Sequence, residues 1–124
     1  MTAAQTPREI YEFALEERKS DEPLRRRDAC EKGWLAAVEA VDGFLATKGI
    51  FIPAGSPEAH KERNKALNDL ALQGGDSMWK LRDKFFAVQS ELHGACFYGN
   101  EDSPAYDRDL KVTVSEILEL TEND

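Results

Sequence analysis

The fold is decided by the stretch Met78-Trp79-Lys80-Leu81-Arg82-Asp83-Lys84-Phe85-Phe86-Ala87-Val88-Gln89-Ser90-Glu91-Leu92-His93-Gly94-Ala95-Cys96. Apolar residues occupy positions 78, 81, 85, 88, 92 and 95, so they follow one another at steps of three or four. Side chains at this spacing share one stripe of an α-helix, whereas a strand requires alternation. The stretch therefore predicts a helix that buries one side in the core.

Two further helices are predicted before this one by their capping and stop signals. The run Thr6-Pro7-Arg8-Glu9 has the pattern of a capping box with proline at the first helical position, so a first helix is expected from there to about Lys19. Asp21 and Pro23 open a long second helix that stops at Gly49, since glycine readily takes the left-handed conformation of a helix end. The residues expected to face inward are Ile10, Phe13 and Ala14 in the first helix, and Cys30, Gly33, Trp34, Ala37, Val41, Phe44 and Leu45 in the second.

The second helix also carries small residues on part of its surface. They are Gly33, Ala36, Ala37, Ala40 and Gly43. A neighbouring backbone can approach closely where side chains are small, and this neighbour is expected to be either another helix of the chain or a second subunit.

The remaining helices are separated by glycine, proline and serine. Residues 50–55 are apolar and are expected to form a connector, because the chain offers no partner strand. Ser56-Pro57-Glu58 caps a third helix that ends at Gly74-Gly75, Asp76 caps the fourth, Gly99-Asn100 closes it, and Ser103-Pro104 opens the fifth. The inward residues are expected to be Ala59, Arg63, Ala66, Leu67, Leu70 and Ala71 in the third helix, and Tyr106, Leu110, Val114, Ile117 and Leu118 in the fifth.

The length and composition indicate a single domain. The chain has 124 residues, of which 41% are hydrophobic and 32% charged, as is ordinary for a globular protein. No window approaches the roughly 18 apolar residues of a membrane span, and the acidic first twenty residues lack the apolar segment of a signal peptide. We therefore expect one all-α domain over residues 1–124, an antiparallel up-and-down bundle of four to five helices, with no membrane partner and a cytoplasmic location.

The two cysteines, Cys30 and Cys96, each fall on the apolar side of a predicted helix. Two cysteines in a chain of this size do not make the framework of a disulfide-rich domain. Reduced, buried thiols are therefore expected in preference to a redox or metal-binding role.

The net charge of −8 is placed unevenly. Residues 1–22 hold three Lys/Arg and six Asp/Glu, residues 100–124 hold two and eight, and residues 23–99 hold eleven and ten. An acidic protein is repelled by phosphate backbones at long range, but a local basic patch can still hold a nucleotide or a short nucleic acid. The charge thus argues against duplex binding without excluding a smaller ligand.

Three motifs in this order resemble one family of helical bundles. They are Glu31-Lys32-x-Trp34-x-Ala36-Ala37 in the long helix, Ser56-x-x-x-His60 opening the third, and Leu92-His93-x-x-x-Phe97-Tyr98 closing the fourth. The ordered set looks like the archaeal PaREP family, which is itself similar to the HEPN superfamily of nucleotide-binding helical domains. The resemblance covers roughly residues 24–100. It implies a HEPN-like bundle, often a homodimer, in a superfamily that includes RNA-cleaving toxins of toxin–antitoxin pairs, partners of minimal nucleotidyltransferases, and inactive binding domains.

The ribonucleases of that superfamily place an arginine about four to six residues before a histidine on one helix, so that a cation and a proton-transfer group address one phosphodiester. This chain departs from the pattern. Its only histidines are His60 and His93, and the nearest arginines upstream of them are Arg27 and Arg82. Ten residues separate Arg82 from His93, so we expect no catalytic residues unless a second subunit supplies one of them.

The two histidines still allow two interpretations. A histidine near a helix end often satisfies a buried backbone group, and this structural role is the favoured one. Alternatively, His60 and His93 lie at the same end of neighbouring helices and flank a pocket with Tyr98 and with Glu31 or Lys32. Two histidines without a spaced set of carboxylates or thiolates predict no metal site.

Basic runs offer a second group of candidates. They are Arg25-Arg26-Arg27 with Lys32, Lys61-x-Arg63-x-Lys65, and Lys80-x-Arg82-x-Lys84. Such runs usually form a solvated helix face, but if they converge they would suit phosphates, with Arg26 and Lys32 as the binding residues and Trp34 or Trp79 for stacking. Packing at the edge of the core is the more expected role of both tryptophans.

These observations predict a non-enzymatic HEPN-like binding or interaction module without a cofactor. Its expected partners are a second copy of the chain, packed through the small residues of the second helix, and a nucleotide, a single-stranded RNA or a minimal nucleotidyltransferase. The candidate ligand-binding residues are His60, His93, Glu31, Lys32, Tyr98 and Arg26. The alternatives are a diverged HEPN ribonuclease toxin that acts as a dimer, and a small protein with a purely structural role.

Overall fold

The computed structural model describes residues 5–53 and 55–122, and these form five helical rods without a strand. The first three are α1 (Pro7–Arg18), α2 (Pro23–Thr47) and α3 (Ala59–Gly74). The fourth, residues 76–98, consists of α4 (Asp76–Val88) and a π-helical continuation (Gln89–Tyr98). The fifth, residues 104–122, consists of α5 (Pro104–Arg108), a π-helical segment (Asp109–Val114) and α6 (Ser115–Glu122). The prediction of an all-α bundle is confirmed, while the antiparallel up-and-down order stays a prediction.

The helix ends follow the local chemistry of the sequence. The Thr6 hydroxyl accepts from the Glu9 backbone N–H at 3.1 Å, and the Glu9 carboxylate accepts from the Thr6 N–H at 2.9 Å, which is the predicted capping box. Gly49 has a φ of +80° after α2, as expected of a left-handed helix end. Asp76 differs from the prediction, because it is the first residue of α4 and Gly75 precedes it as the cap.

The core forms around α2, whose small residues face other helices of the same chain. Gly33, Ala36, Ala37 and Ala40 are buried, and a Cβ atom added to Gly33 would overlap the Leu110 side chain of the fifth rod. The close neighbour is therefore internal. The prediction that a second subunit packs on this surface is wrong for these four residues, because the chain itself covers them.

Two inward positions differ from the sequence-based expectation. Phe13 is 49% exposed, because the buried side of α1 runs through Ile10, Tyr11 and Ala14, and the Lys32 ammonium lies 4.3 Å from the centre of the Phe13 ring. At the end of the fourth rod Cys96 is buried, whereas Ala95 is only half-buried. The π-helical turn there, in which the Gly99 N–H donates to the Gly94 carbonyl, is wider than the α-turn that the periodicity assumed.

Cys30 and Cys96 form a disulfide, so the prediction of two reduced thiols is wrong. Both residues face the contact between α2 and the fourth rod, and their Cα atoms lie 6.2 Å apart, within the range that a disulfide spans. Counting cysteines could not reveal this distance, because 66 positions separate them along the chain.

Arg18 lies buried beside this disulfide and joins three parts of the bundle. Its Nε and Nη2 atoms donate to Asp107 and Asp102, each at 2.6 Å. Its Nη1 atom approaches the sulfur of Cys30 at 3.5 Å and that of Cys96 at 3.8 Å. Since a buried cation is costly unless it is paired, these contacts fix the end of α1 against the first helix of the fifth rod and the loop that precedes it.

Across the described parts of the chain, none of the helices combines the length and the apolar character needed to cross a bilayer.

Replacing Cys30 and Cys96 together by alanine is expected to lower the free energy of unfolding by about 4 kcal/mol, because the disulfide closes a long loop in the unfolded chain. Urea denaturation of the oxidised protein and of the double variant measures this difference. Wild type treated with a phosphine reductant is the control and should match the variant closely. A loss below about 1 kcal/mol would contradict a stabilising disulfide at this position.

Asp109 begins the second π-helical segment and is buried. Burial and the neighbouring Glu91 carboxyl raise its pKa from 3.8 to about 6. The folded protein therefore holds a proton between pH 4 and 6 that the unfolded chain releases, so this residue makes folding less favourable as pH rises through that window.

Asp109→Asn is expected to remove this dependence. Wild type should lose roughly 1 to 3 kcal/mol of unfolding free energy relative to the variant between pH 4 and pH 6.5, which urea denaturation at several pH values measures. Asp69→Asn, which changes an exposed carboxylate of α3, is the matched control. Parallel pH profiles for wild type and Asp109→Asn would show that Asp109 ionises normally.

Candidate functional site

One cavity brings together five of the six predicted ligand-binding residues. It has a volume of about 520 Å³ and opens between α2, α3 and the end of the fourth rod. The predicted residues that line it are Glu31, Lys32, His60, His93 and Tyr98. We refer to it as the His60–His93 cavity.

The two imidazoles are close neighbours within one chain. His60 lies at the start of α3 and His93 late in the fourth rod, and their ring centroids are 5.6 Å apart. Both rings stack on the indole of Trp34, with centroid distances of 5.8 Å for His60 and 5.0 Å for His93. Trp34 is 4% exposed, so it forms the floor beneath the two histidines.

His93 is oriented by two neighbours. Its Nδ1 atom lies 2.8 Å from a carboxylate oxygen of Glu31 on α2. Because a carboxylate only accepts, His93 donates its Nδ1–H here, and its Nε2 atom makes no hydrogen bond within the described residues. The Tyr98 ring meets the His93 ring edge-on at 4.9 Å, and 68% of Tyr98 is exposed at the rim of the cavity.

His60 is oriented in the opposite sense by Arg63, one helical turn further along α3. The Arg63 guanidinium is buried and donates to both carboxylate oxygens of Asp42, at 2.6 and 2.9 Å. Its Nη1 atom lies 3.4 Å from His60 Nδ1. A guanidinium only donates, so His60 Nδ1 accepts and its proton resides on Nε2.

The same surroundings keep His60 neutral. Partial burial lowers the pKa of His60, and the positive charge of the neighbouring Arg63 guanidinium lowers it further. A neutral imidazole with a fixed tautomer presents one donor and one acceptor nitrogen in fixed directions, and both can form hydrogen bonds with a ligand.

The charged side chains at the cavity are already paired. The Lys32 ammonium lies 3.0 Å from Glu17 and 2.8 Å from Asp28, in addition to the Arg63–Asp42 pair. Burial alone would lower the pKa of Lys32, but the hydrogen bonds and negative charges of Asp28 and Glu17 outweigh it and raise this pKa. The cavity is thus a set of rings surrounded by neutralised charges.

Arg26, the sixth predicted residue, lies elsewhere. Its guanidinium donates to Asp102 at 2.9 Å and to the Arg18 carbonyl at 2.7 Å. It lines a different cavity of about 590 Å³ between α1 and the fifth rod, whose cations Arg18 and Arg26 both bind Asp102 and Asp107. The basic run 25–27 therefore does not converge on the His60–His93 cavity, because Arg27 turns instead to the Phe97 carbonyl at 2.6 Å.

Among the described residues no group of three or more His, Cys, Asp or Glu side chains is arranged to hold a metal ion.

Three residues of this site were not identified from the sequence. Packing at the edge of the core was the expected role of Trp34, with stacking beside the basic runs as the alternative, and Arg63 and Asp42 were not connected with the histidines. The signal that was available is the spacing of His60 and Arg63, which are three residues apart and hence on one face of α3. It was missed because only arginines upstream of each histidine were considered.

No model of a known protein family matches the chain, and no curated protein or solved structure matches it. The resemblance to PaREP and HEPN domains therefore stays a prediction. The geometry of the cavity is the evidence that bears on function.

We expect His60 to titrate below pH 6.5 in the folded protein and to carry its proton on Nε2 at pH 7. NMR titration with ¹⁵N-labelled histidine reports both properties. Since the folded state binds fewer protons at His60 than the unfolded state, stability is present above pH 6.5 and falls as pH decreases below it. In His60→Gln this decline should be smaller than in wild type. A titration above pH 6.5 would contradict the arrangement with Arg63.

Proposed function

We propose that this protein is a HEPN-like, non-enzymatic binding module, and that a nucleotide or a short single-stranded RNA binds in the His60–His93 cavity. The observation that supports the proposal is the arrangement of two imidazoles, 5.6 Å apart, on the buried indole of Trp34. Flat rings with free polar edges suit a flat ligand that also forms hydrogen bonds. A nucleobase has both properties.

Tyr98 supports the same proposal from the rim of the cavity. It is largely exposed, and its contact with the edge of His93 holds the phenol ring in place. Exposed aromatic rings beside a groove are the usual stacking platforms for unpaired bases, worth about 1–3 kcal/mol for each base. The two tryptophans do not take this role here, because Trp34 is buried and Trp79 does not line the cavity.

The partners of the module are part of the proposal. A homodimer, or a minimal nucleotidyltransferase as the binding partner, is what the family resemblance implies. Leu35 supports a protein contact near the cavity, since it lines the cavity and is 44% exposed. A cytoplasmic location stays part of the proposal, although a structural disulfide such as Cys30–Cys96 is typical of oxidising compartments.

A second candidate function is favoured by one observation. The guanidinium of Arg63 lies 3.4 Å from His60, and the second imidazole is nearby within the same chain. From the sequence alone, an arginine and a histidine were expected to meet only across two subunits. An RNA-cleaving enzyme that uses His93 as its base is therefore the competing proposal.

The binding proposal predicts that Tyr98→Ala weakens binding of a uridine hexanucleotide and of mononucleotides at least tenfold, because the stacking surface is lost. Isothermal titration calorimetry on the purified oxidised protein measures the affinities. Phe51→Ala is the matched control, since Phe51 is an aromatic residue with 78% exposure outside the cavity.

The same protein separates the two proposals when it is incubated with labelled RNA. Binding without cleavage supports the module. Cleavage that disappears in His93→Ala supports the enzyme and contradicts the module. If no nucleotide or RNA binds at millimolar concentration and none is cleaved, both proposals are wrong.

A further inference from the structure

We infer that the His60–His93 cavity recognises the heterocyclic ring of its ligand through one hydrogen-bond donor and one acceptor, and that it makes no charge contact with phosphate. This inference rests on the proposed nucleotide-binding function and specifies which part of the nucleotide is read. It follows from the state of the charges, the hydrogen-bonding capacity of the two imidazoles, and the shape of the cavity.

The two cations that line the cavity, Arg63 and Lys32, are both already paired with carboxylates, so neither is free to bind a phosphate group. Arg63 uses two of its nitrogens on Asp42 and directs the third to His60, and Lys32 is held between Glu17 and Asp28. The carboxylate of Glu31, which also lines the cavity, accepts a hydrogen bond from His93. Phosphate binding normally uses unpaired Lys or Arg side chains or free backbone N–H groups. Here a phosphate could contact Arg63 or Lys32 only by breaking an ion pair, and it would then face the released carboxylate.

The net charge of the chain also disfavours the binding of phosphate groups. The whole chain carries −8, so its long-range field repels a polyanion. A ligand with several phosphates is therefore repelled as it approaches, and no unpaired cation of the cavity offsets this repulsion. An uncharged ring meets neither penalty.

The imidazoles offer a complementary pair of polar atoms. In neutral His93 the proton sits on Nδ1 towards Glu31, so Nε2 is an acceptor. In His60 the lone pair of Nδ1 faces Arg63, so Nε2 carries the proton and is a donor. Neither Nε2 atom forms a hydrogen bond with the described part of the chain, and both are available to a ligand.

Nucleobases present the matching pattern on one edge. Each base carries a donor beside an acceptor, as adenine does with its amino group and ring nitrogen. The N–H or NH₂ group of the base would donate a hydrogen bond to His93 Nε2. The adjacent acceptor of the base would accept a hydrogen bond from the Nε2–H group of His60. In a duplex these edges are occupied by pairing or buried in stacks, so the cavity selects a free nucleoside or an unpaired base.

The size of the cavity is sufficient for a single ring system. Its volume of about 520 Å³ is in the range of small-molecule sites. Trp34 closes it from below, and Tyr98 stands at its rim. A base can approach the two histidines edge-first beside Tyr98 while its sugar and phosphate remain in solvent.

Calorimetry with the four ribonucleosides and their 5′-monophosphates tests the inference. Nucleoside and monophosphate of the preferred base should bind within about threefold of each other, and the affinity for the monophosphate should change less than threefold between 50 and 300 mM NaCl. A monophosphate that binds more than tenfold tighter than its nucleoside, with strong salt dependence, would overturn the inference while leaving the proposed nucleotide-binding function intact. If neither nucleosides nor monophosphates bind but the uridine hexanucleotide does, the inference is overturned and the proposed function stands. If none of the three binds, both are overturned.

Edge-methylated nucleosides test the donor and acceptor pair directly. The analogue that matches the preferred base is used: 3-methyluridine, N4,N4-dimethylcytidine, N6,N6-dimethyladenosine or 1-methylguanosine. Each analogue lacks the N–H group that would donate to His93 Nε2, so its affinity is expected to be at least tenfold lower than that of the parent nucleoside. Equal binding of the parent and the methylated nucleoside would overturn the assignment.

A double variant completes the test from the protein side. Glu31→Gln with His93→Phe keeps a ring on Trp34 and avoids an unpaired carboxylate, but removes the acceptor, so binding of the preferred nucleoside should fall at least tenfold. Lys61→Gln, an exposed change on α3 outside the cavity, is the control and should bind as wild type does. Thermal unfolding of each variant establishes that it is folded. A folded double variant with unchanged affinity would contradict the role of His93.

Discussion

The candidate site depends on the contact between α2 and the end of the fourth rod. Three consecutive links join these elements: Arg27 donates to the Phe97 carbonyl, Cys30 is bonded to Cys96, and Glu31 accepts from His93. Residues 30 and 31 of α2 follow residue 27 by three and four positions, so all three lie on one face of that helix. The order of the links is reversed along the fourth rod, where 97, 96 and 93 follow. The disulfide thus fixes the distance at which Glu31 can hold His93.

The other side of the cavity depends on a buried ion pair. Arg63 and Asp42 connect α3 to α2, and Arg63 in turn orients His60. A buried pair of this kind contributes little net stability, because removing both charges from water costs about as much as their attraction returns. Its value here is geometric. It holds the ring of His60 in one orientation and keeps its proton on the side that faces away from the guanidinium.

Most of the helical architecture could be predicted, because helix ends and buried stripes are set by neighbours in the sequence. The capping box at Thr6, the end of α2 at Gly49 and the buried stripe through Leu81, Phe85 and Val88 all follow from local spacing. The meeting of His60 with His93 was offered only as one of two interpretations, since spacing along a helix does not fix its rotation against another.

The disulfide and the small-residue surface illustrate what local patterns cannot decide. Whether Cys30 reaches Cys96 depends on the packing of two helices to within about an ångström, and no count of cysteines contains this information. Likewise, Gly33 indicates a close neighbour without identifying it, and the neighbour proves to be Leu110 of the fifth rod. The π-helical turns at 89–98 and 109–114 also escape a periodicity analysis that assumes 3.6 residues per turn.

The tautomers of the two histidines also explain why we favour binding over catalysis. Cleavage of a phosphodiester by two imidazoles requires one that accepts a proton and one that carries an extra proton to the leaving group. His93, held by Glu31, has the form of the first. His60 does not have the form of the second, because its Nδ1 faces a guanidinium, and its lowered pKa disfavours the imidazolium. The cavity therefore contains a base and a neutral donor, and this pair is suited to holding a ring edge in place.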